Sequence, residues 1–137
     1  MSSIVPKKDS EPRKETLLVM DDDPKIHPLI DFHLEGVVEK ILHAESPLVG
    51  LRMAKEHLPD VVLLDIDMPR MDGYQVCKVI TGNDAFRHIP VVMLSGKDGF
   101  FDKVRGRMVG AKDYITKPFE TDALVKSVRK QIETPSK

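Results

Sequence analysis

Three kinds of polar residue end short apolar runs in this chain, and together they could handle a divalent cation and a phosphoryl group. The residues that follow these runs are Asp21, Asp22, Asp65, Ser95 and Lys117. Clustered carboxylates raise one another's pKa and therefore favour a bound cation. An all-oxygen set suits Mg²⁺, which keeps several waters and shares its coordination with phosphate. A lysine and a small hydroxyl supply positive charge and a hydrogen bond to phosphoryl oxygens.

The stretch VVLLDIDMPRMDG, from Val61 to Gly73, shows how Asp65 would be positioned. Its first four residues are apolar and β-branched enough to predict a strand buried on both faces. Pro69 lacks an N–H and forces the chain out of the sheet, and Asp72-Gly73 signals a turn and a helix start. Asp65 is therefore predicted at the carboxyl end of a central strand, facing the crevice where open α/β sheets place their chemistry.

The rest of the chain repeats this alternation. Apolar runs predict further strands at 16–20, 38–44, 91–94 and 113–116. Helices are predicted from about 23 to 36, then at 47–57, 73–80, about 98–109 and 121 to about 133. Asp23, Ser46 and Thr121 are the predicted N-caps, and Pro28 should make the first helix start late or bend. Five strands alternating with five helices predict an α/β fold with a parallel sheet covered on both faces.

Composition limits the class of protein. The 137 residues carry a net charge of −1, so no overall field favours nucleic acid or an anionic membrane. A single cysteine, Cys77, excludes an intramolecular disulfide and is predicted to be buried. No apolar run has the ~20 residues of a membrane span, and no signal peptide is evident. We expect a cytoplasmic protein with a flexible tail at 1–15, one folded domain at 16–133 and a C-terminal tail at 134–137.

Four segments carry a resemblance to a known family: LLVMDDDP, VVLLDIDMPRMDGYQV, VVMLSG and GAKDYITKPF. Over residues 16–133 the chain resembles the receiver domain of two-component response regulators, the chemotaxis-receiver family. The resemblance implies a doubly wound, flavodoxin-like five-stranded parallel sheet of order 2-1-3-4-5. The segment from Ser95 to Phe119 looks particularly like receivers of the type IV pilus and phototaxis pathways.

The resemblance assigns a role to each polar residue at the strand ends. Asp65 is implied to be the phospho-acceptor, and Lys117 contacts the phosphate. Asp21 and Asp22 are the implied acidic pair that binds Mg²⁺, to which Asp67 adds its backbone carbonyl.

Two further residues are implied to form the switch. Ser95 turns its hydroxyl towards the phosphate, and Tyr114 is the switch aromatic. Without the motif, Tyr114 would be interpreted as a packed aromatic on a short strand. Pro118 matches the family's lysine-proline peptide bond, which is often cis.

The implied partners are proteins. A sensor histidine kinase or a phosphotransfer protein would donate the phosphoryl group, and a downstream protein would bind the switched surface. We expect that surface to comprise the helix at about 98–109, the strand at 113–116 and the last helix, with Lys103, Arg105, Arg107 and Lys126 near Tyr114. These cations could equally be an ordinary solvated face. Residues 134–137 are too few for an output domain, so a stand-alone regulator is expected.

Two other classes of protein compete with this interpretation. Asp65-Ile66-Asp67 also resembles the DxD motif of haloacid-dehalogenase-type phosphatases, which would make the chain an enzyme on external substrates. That motif normally follows the first strand, whereas here it follows the third and precedes Met-Pro. The second alternative is an interaction module that is never phosphorylated, although every acceptor residue is present.

The histidines add no metal site to the prediction. They show no metal-ligand spacing, so surface or helix-end positions are expected for all five: His27, His33, His43, His57 and His88.

Overall fold

Five strands and five helices alternate along the described part of the chain, which comprises residues 15–68, 70–96 and 100–133 of the computed structural model. The strands are β1 (Thr16–Met20), β2 (Lys40–Ala44), β3 (Val61–Asp65), β4 (Val91–Ser95) and β5 (Asp113–Thr116). The helices are α1 (Ile26–His33), α2 (Pro47–His57), α3 (Gly73–Thr81), α4 (Phe100–Met108) and α5 (Thr121–Glu133). Residues 1–14 and 134–137, most of the predicted tails, lie outside the described residues.

All the strand pairs are parallel, and the strands lie in the order β2-β1-β3-β4-β5. The predicted fold class and strand order are therefore confirmed. β3 and β4 are buried at every residue, whereas β2 and β5 are partly exposed because they form the edges. The strand order reverses between β1 and β3, and open α/β sheets bind their ligands at such a switch point.

Alternate side chains of the strands fill two separate cores. On one face, residues such as Leu18, Leu64 and Met93 pack with residues of α2 and α3. On the other face, residues such as Val19, Leu63 and Leu94 pack with α1 and α5. The helices thus cover both faces of the sheet, as predicted.

The first helix differs from its predicted bounds. It begins at Ile26 rather than near Asp23, and the predicted N-cap at Asp23 is wrong because Lys25 occupies that position without a side-chain cap. Asp23 instead accepts a hydrogen bond from the backbone N–H of Lys25 at 3.0 Å. The late start lets Pro28 occupy the first turn, where a backbone N–H has no partner within the helix. The helix ends at His33, short of the predicted Gly36.

The other two predicted N-caps have opposite outcomes. Ser46 is confirmed, since its hydroxyl accepts a hydrogen bond from the N–H of Val49 at 3.2 Å. Thr121 is wrong as an N-cap because it is already the first residue of α5. Its hydroxyl instead lies 2.5 Å from Nδ1 of His33, which joins α5 to α1.

Two element starts also differ. β2 begins at Lys40, because Val38 forms only an isolated bridge with Glu35. The predicted start of the fourth helix near Asp98 lies outside the described residues, and the described helix begins at Phe100.

Cys77 is fully buried on α3, as predicted, and this burial raises the pKa of its thiol to about 11. Within the described ranges, no helix is both long enough and apolar enough to cross a membrane.

Candidate functional site

The carboxyl ends of the strands bring the predicted site residues together at one edge of the sheet. Met20 pairs with Leu64, so Asp21 and Asp65 lie at the ends of adjacent strands. The last residue of β4 is Ser95, whose carbonyl accepts a hydrogen bond from the backbone N–H of Lys117 at 2.6 Å. The parallel register therefore places groups from four strands around one point.

Lys117 joins the two buried carboxylates of this site. Its Nζ donates to Oδ2 of Asp21 at 2.8 Å and to Oδ1 of Asp65 at 3.1 Å. Asp21 is fully buried and Asp65 is 4 % exposed, whereas the Lys117 side chain is 21 % exposed. The lysine thus compensates two acidic groups that would otherwise repel one another in a medium of low dielectric constant.

Burial and charge tune the acidity of the Asp65 carboxyl group. Burial and the neighbouring charge of Asp21 raise the pKa of Asp65 to about 6, and Lys117 limits the rise. The backbone N–H of Asp67 also donates a hydrogen bond that favours the ionised carboxylate. For Lys117, burial lowers the pKa, but the hydrogen bond to Asp21 and the charges of both carboxylates outweigh it and raise the pKa. At neutral pH the site therefore holds an ionised carboxylate beside a protonated lysine.

The same site can hold a metal ion. One carboxylate oxygen from each of Asp21, Asp22 and Asp65 lies within 4.8 Å of the others. This all-oxygen donor set suits a hard divalent cation such as Mg²⁺. Asp67 lies two residues beyond Asp65, on the segment from which the resemblance draws a backbone carbonyl ligand.

Asp21 and Asp22 differ in their freedom to meet a cation. Oδ1 of Asp21 accepts from the N–H of Asp23 at 2.9 Å, and its Oδ2 is engaged by Lys117. Asp22 is exposed, and within the described ranges it takes part in no ion pair. The Asp22 carboxylate is therefore the better placed of the two to bind the ion directly.

Gly73 lets α3 approach the acceptor strand closely. A Cβ at this position would lie 2.5 Å from the carbonyl oxygen of Asp65 and 2.7 Å from Cα of Ile66, so no side chain fits. The N–H of Gly73 donates to the carbonyl of Ile66 at 2.7 Å. The predicted helix start is confirmed, because Asp72 and Gln75 form a reciprocal capping box. The backbone after Asp65 is thus held against the first turn of α3.

The two predicted switch residues lie on adjacent strands. Ser95 is fully buried at the end of β4, and Tyr114 is half-buried on β5, where it pairs with Met93. A cleft of about 190 Å³ beside the Tyr114 ring is also lined by Lys103, Arg107 and Lys112.

Arg105 lies elsewhere, which corrects part of the predicted surface. Its guanidinium lies 4.1 Å from the ring centroid of Tyr74 on α3, in a cation–π contact. Alternate residues of a helix face different directions, so Arg105 cannot share the face of Lys103 and Arg107.

Sequence reasoning missed His27 and His43. His27 is 7 % exposed rather than on the surface, and its Nε2 lies 2.8 Å from the carbonyl oxygen of Asp21. Its Nδ1 lies 2.6 Å from Nδ1 of His43 on β2, whose Nε2 lies 2.9 Å from Oδ1 of Asp31. The spacing of these residues along the chain gives no signal, because the contact depends on how α1 crosses β2. His33 does lie at a helix end, as predicted.

Known proteins resemble this chain over most of the described fold. Residues 17–129 match the family model described as response regulator receiver domain. Protein PilG of Pseudomonas aeruginosa is 38 % identical over 116 residues, which cover 85 % of this chain and 86 % of PilG. Protein PilH of the same organism is 37 % identical over 112 residues, which cover 82 % of this chain and 93 % of PilH. The chain spans about half the length of two further relatives, both transcriptional regulators.

The solved structures agree. The signal receiver domain of a DNA-binding response regulator from Colwellia psychrerythraea superposes with a TM-score of 0.82 at 27 % identity. The match covers 88 % of this chain and 99 % of that one.

Proposed function

Because the chain belongs to the response regulator receiver domain family, we propose that it signals by carrying a phosphoryl group on Asp65 within a two-component phosphorelay. The contact of Lys117 with both Asp65 and Asp21 is the observation that carries this proposal. A buried carboxylate that is ionised at neutral pH and held by a lysine is a nucleophile whose product, an acyl phosphate, would keep the same cation as its partner.

Phosphoryl transfer would proceed from a phosphohistidine of a sensor kinase or phosphotransfer protein. The Asp65 carboxylate attacks phosphorus in line, an O–P bond forms, and the N–P bond breaks with its electron pair returning to the imidazole. Mg²⁺, when bound, neutralises charge on the phosphoryl oxygens. Asp22 and Asp21 would hold that ion together with Asp65 and the backbone carbonyl of Asp67.

Lys117 and Ser95 would then retain the product. Lys117 donates to the carboxylate before transfer and stays within reach of the new phosphoryl oxygens. The Ser95 hydroxyl at the end of β4 can donate to those oxygens and draw the following loop towards Asp65. Phosphorylation adds about −1.5 to −2 charges near neutral pH, so a local charge change biases this segment.

The signal would leave through the face formed by α4, β5 and α5. Movement of Ser95 opens space next to Tyr114, which rotates inward and alters the cleft lined by Lys103, Arg107 and Lys112. A downstream protein that binds one arrangement better than the other then reads the phosphorylation state. The likeness to PilG and PilH supports a place in the pilus branch of the family. The proposal also includes a cytoplasmic location, protein partners, and no direct contact with nucleic acid or membrane.

Intact-mass measurement tests the proposal. The wild type and the Asp65→Asn variant are each incubated with Mg²⁺ and acetyl phosphate. One phosphoryl group should add to the wild type and none to the variant, because an amide is not a nucleophile of this kind. Equal labelling of Asp65→Asn would overturn the assignment.

The phosphatase alternative has a separate test. A haloacid-dehalogenase-type enzyme would turn over phosphomonoesters, whereas a signalling receiver forms a stoichiometric acyl phosphate. We expect no sustained turnover of p-nitrophenyl phosphate. Catalytic hydrolysis that depends on Asp65 would favour the enzyme.

A further inference from the structure

We propose that His27 is a positioning residue for the candidate metal site, because its hydrogen bond to the Asp21 carbonyl fixes the end of β1 that carries Asp21 and Asp22. This inference rests on the proposed function and extends it to a residue that no motif at the strand ends includes.

The backbone of Asp21 is held on both sides of its Cα. Its N–H donates to the carbonyl of Ala44 on β2 at 3.1 Å. Its carbonyl oxygen lies 2.8 Å from Nε2 of His27 on α1, in a buried hydrogen bond. A buried carbonyl without a partner is costly, so His27 both satisfies this group and sets its direction.

The position of Asp22 depends on the direction of the Asp21 carbonyl. The carbonyl of Asp21 and the N–H of Asp22 belong to one planar peptide unit, so fixing the first also fixes the second. Asp22 is exposed, and within the described ranges it takes part in no ion pair that would hold its carboxylate. The orientation of the metal-binding carboxylate is therefore set largely by its backbone.

A second layer holds His27 itself. Its Nδ1 lies 2.6 Å from Nδ1 of His43, with the two rings edge to face at 77°. Nε2 of His43 lies 2.9 Å from Oδ1 of Asp31. The Asp21 carbonyl can only accept, so Nε2 of His27 is the donor in this hydrogen bond. The chain Asp31–His43–His27–Asp21 thus fixes both rings and links α1, β2 and the end of β1.

A buried histidine could instead serve only packing, and two nearly isosteric variants distinguish the roles. His27→Gln keeps an amide donor close to the position of Nε2, whereas His27→Met keeps a similar volume without a donor. If packing alone matters, the two variants should behave alike. If the hydrogen bond positions the site, only His27→Gln should approach the wild type.

Two readouts on the full chain test the proposal. The dissociation constant for Mg²⁺ is measured by calorimetry. The second readout is the ¹⁵N chemical shift of the Asp22 amide in the metal-free protein. This nitrogen is chosen because it shares its peptide unit with the Asp21 carbonyl. His27→Met should bind Mg²⁺ about 10-fold more weakly, as expected when a group that orients a ligand is lost. It should also move the Asp22 shift, and His27→Gln should recover most of both effects.

The contrary results are equally distinct. Wild-type Mg²⁺ affinity and an unchanged Asp22 shift in His27→Met would overturn the positioning role while leaving the proposed function intact. Equal losses of Mg²⁺ affinity in the Gln and Met variants would show that His27 contributes only packing. If His27→Met does not fold, His27→Phe replaces it, since that variant keeps a ring without the donor. A wild-type protein that binds no Mg²⁺ would overturn both proposals.

Discussion

Nζ of Lys117 lies 3.1 Å from Oδ1 of Asp65, although the two residues are 52 positions apart in the chain. The contact forms because β5 and β3 flank β4 in a parallel sheet and end at the same edge. The same Nζ contacts Asp21, so one cation serves two buried carboxylates. This arrangement explains how acidic residues that repel one another can share a site before any metal or phosphate arrives.

Replacement of Lys117 by alanine should impair both stability and phosphorylation. It leaves Asp21 and Asp65 without their cation, which should lower the free energy of unfolding by about 2 kcal/mol, the scale of a hydrogen bond to a charged group. Acetyl phosphate should label the variant more slowly, because no cation holds the product. Urea denaturation and intact mass measure the two effects. Lys112→Ala, an exposed lysine on the cleft, is the control and should change neither; a Lys117→Ala protein that matches it would contradict the account.

The raised pKa of Asp65 predicts a pH dependence of stability in metal-free buffer. The carboxyl group has a pKa of about 6 in the folded protein, against an ordinary value of 3.8. The folded state therefore holds this proton more tightly than the unfolded chain, so the stability contributed by Asp65 is full below pH ~4 and is lost as pH rises through ~6.

The difference between two proteins isolates this effect. The unfolding free energy of the wild type should fall relative to that of Asp65→Asn between pH 4 and 7, measured by chemical denaturation. The exposed residue Asp84 provides the control, since Asp84→Asn should track the wild type. A constant difference between wild type and Asp65→Asn across this range would show that burial does not shift the Asp65 pKa.

The two acidic residues after β1 should contribute unequally to Mg²⁺ binding. Asp22 is exposed, whereas both oxygens of Asp21 are already engaged by protein groups. Asp22→Ala should therefore weaken Mg²⁺ binding more than Asp21→Ala, and Mg²⁺ should raise the Tm of the wild type but hardly that of Asp22→Ala. Asp84→Ala serves as the control. A larger loss in Asp21→Ala would reverse the assigned roles.

The conformational change on activation should spread from Asp65 through Ser95 to α4 and Tyr114. Beryllofluoride with Mg²⁺ mimics the phosphoryl group, and chemical shifts should change at Asp65 and Ser95, then in α4 and at Tyr114, while α2 stays largely unaffected. In Ser95→Ala the changes should stay near Asp65, because the hydroxyl that couples the loop is gone. The coupling need only be about 1–3 kcal/mol to be useful. Chemical-shift changes confined to the acidic pocket of the wild type would show that the output surface lies elsewhere.

The strands were predictable because burial on both faces leaves continuous apolar runs. β1, β3, β4 and β5 lie within a residue of their predictions, and the site residues follow from their ends. The start of α1 was not predictable from the sequence. Asp23 is a typical N-cap residue, but the helical backbone begins only after Lys25. β2 was predicted too long because an edge strand carries a weaker apolar pattern.

The supporting contacts of the site could not be predicted from spacing. His27 and His43 meet across 16 positions on different elements, and neither stands in a recognisable motif. The contact of Arg105 with Tyr74 could not be predicted either. It depends on the rotation of α4 about its axis, which the local pattern of charges does not encode.

The most direct measurement identifies which carboxylate carries the phosphoryl group. The protein is phosphorylated with acetyl phosphate and Mg²⁺ and treated with borohydride, which reduces an acyl phosphate of aspartate to homoserine, and peptide mass spectrometry locates the product. We expect homoserine at position 65 and at none of the other aspartates, and no homoserine without the phosphodonor. Reduction at Asp21, Asp22 or Asp67 with Asp65 intact would contradict this expectation.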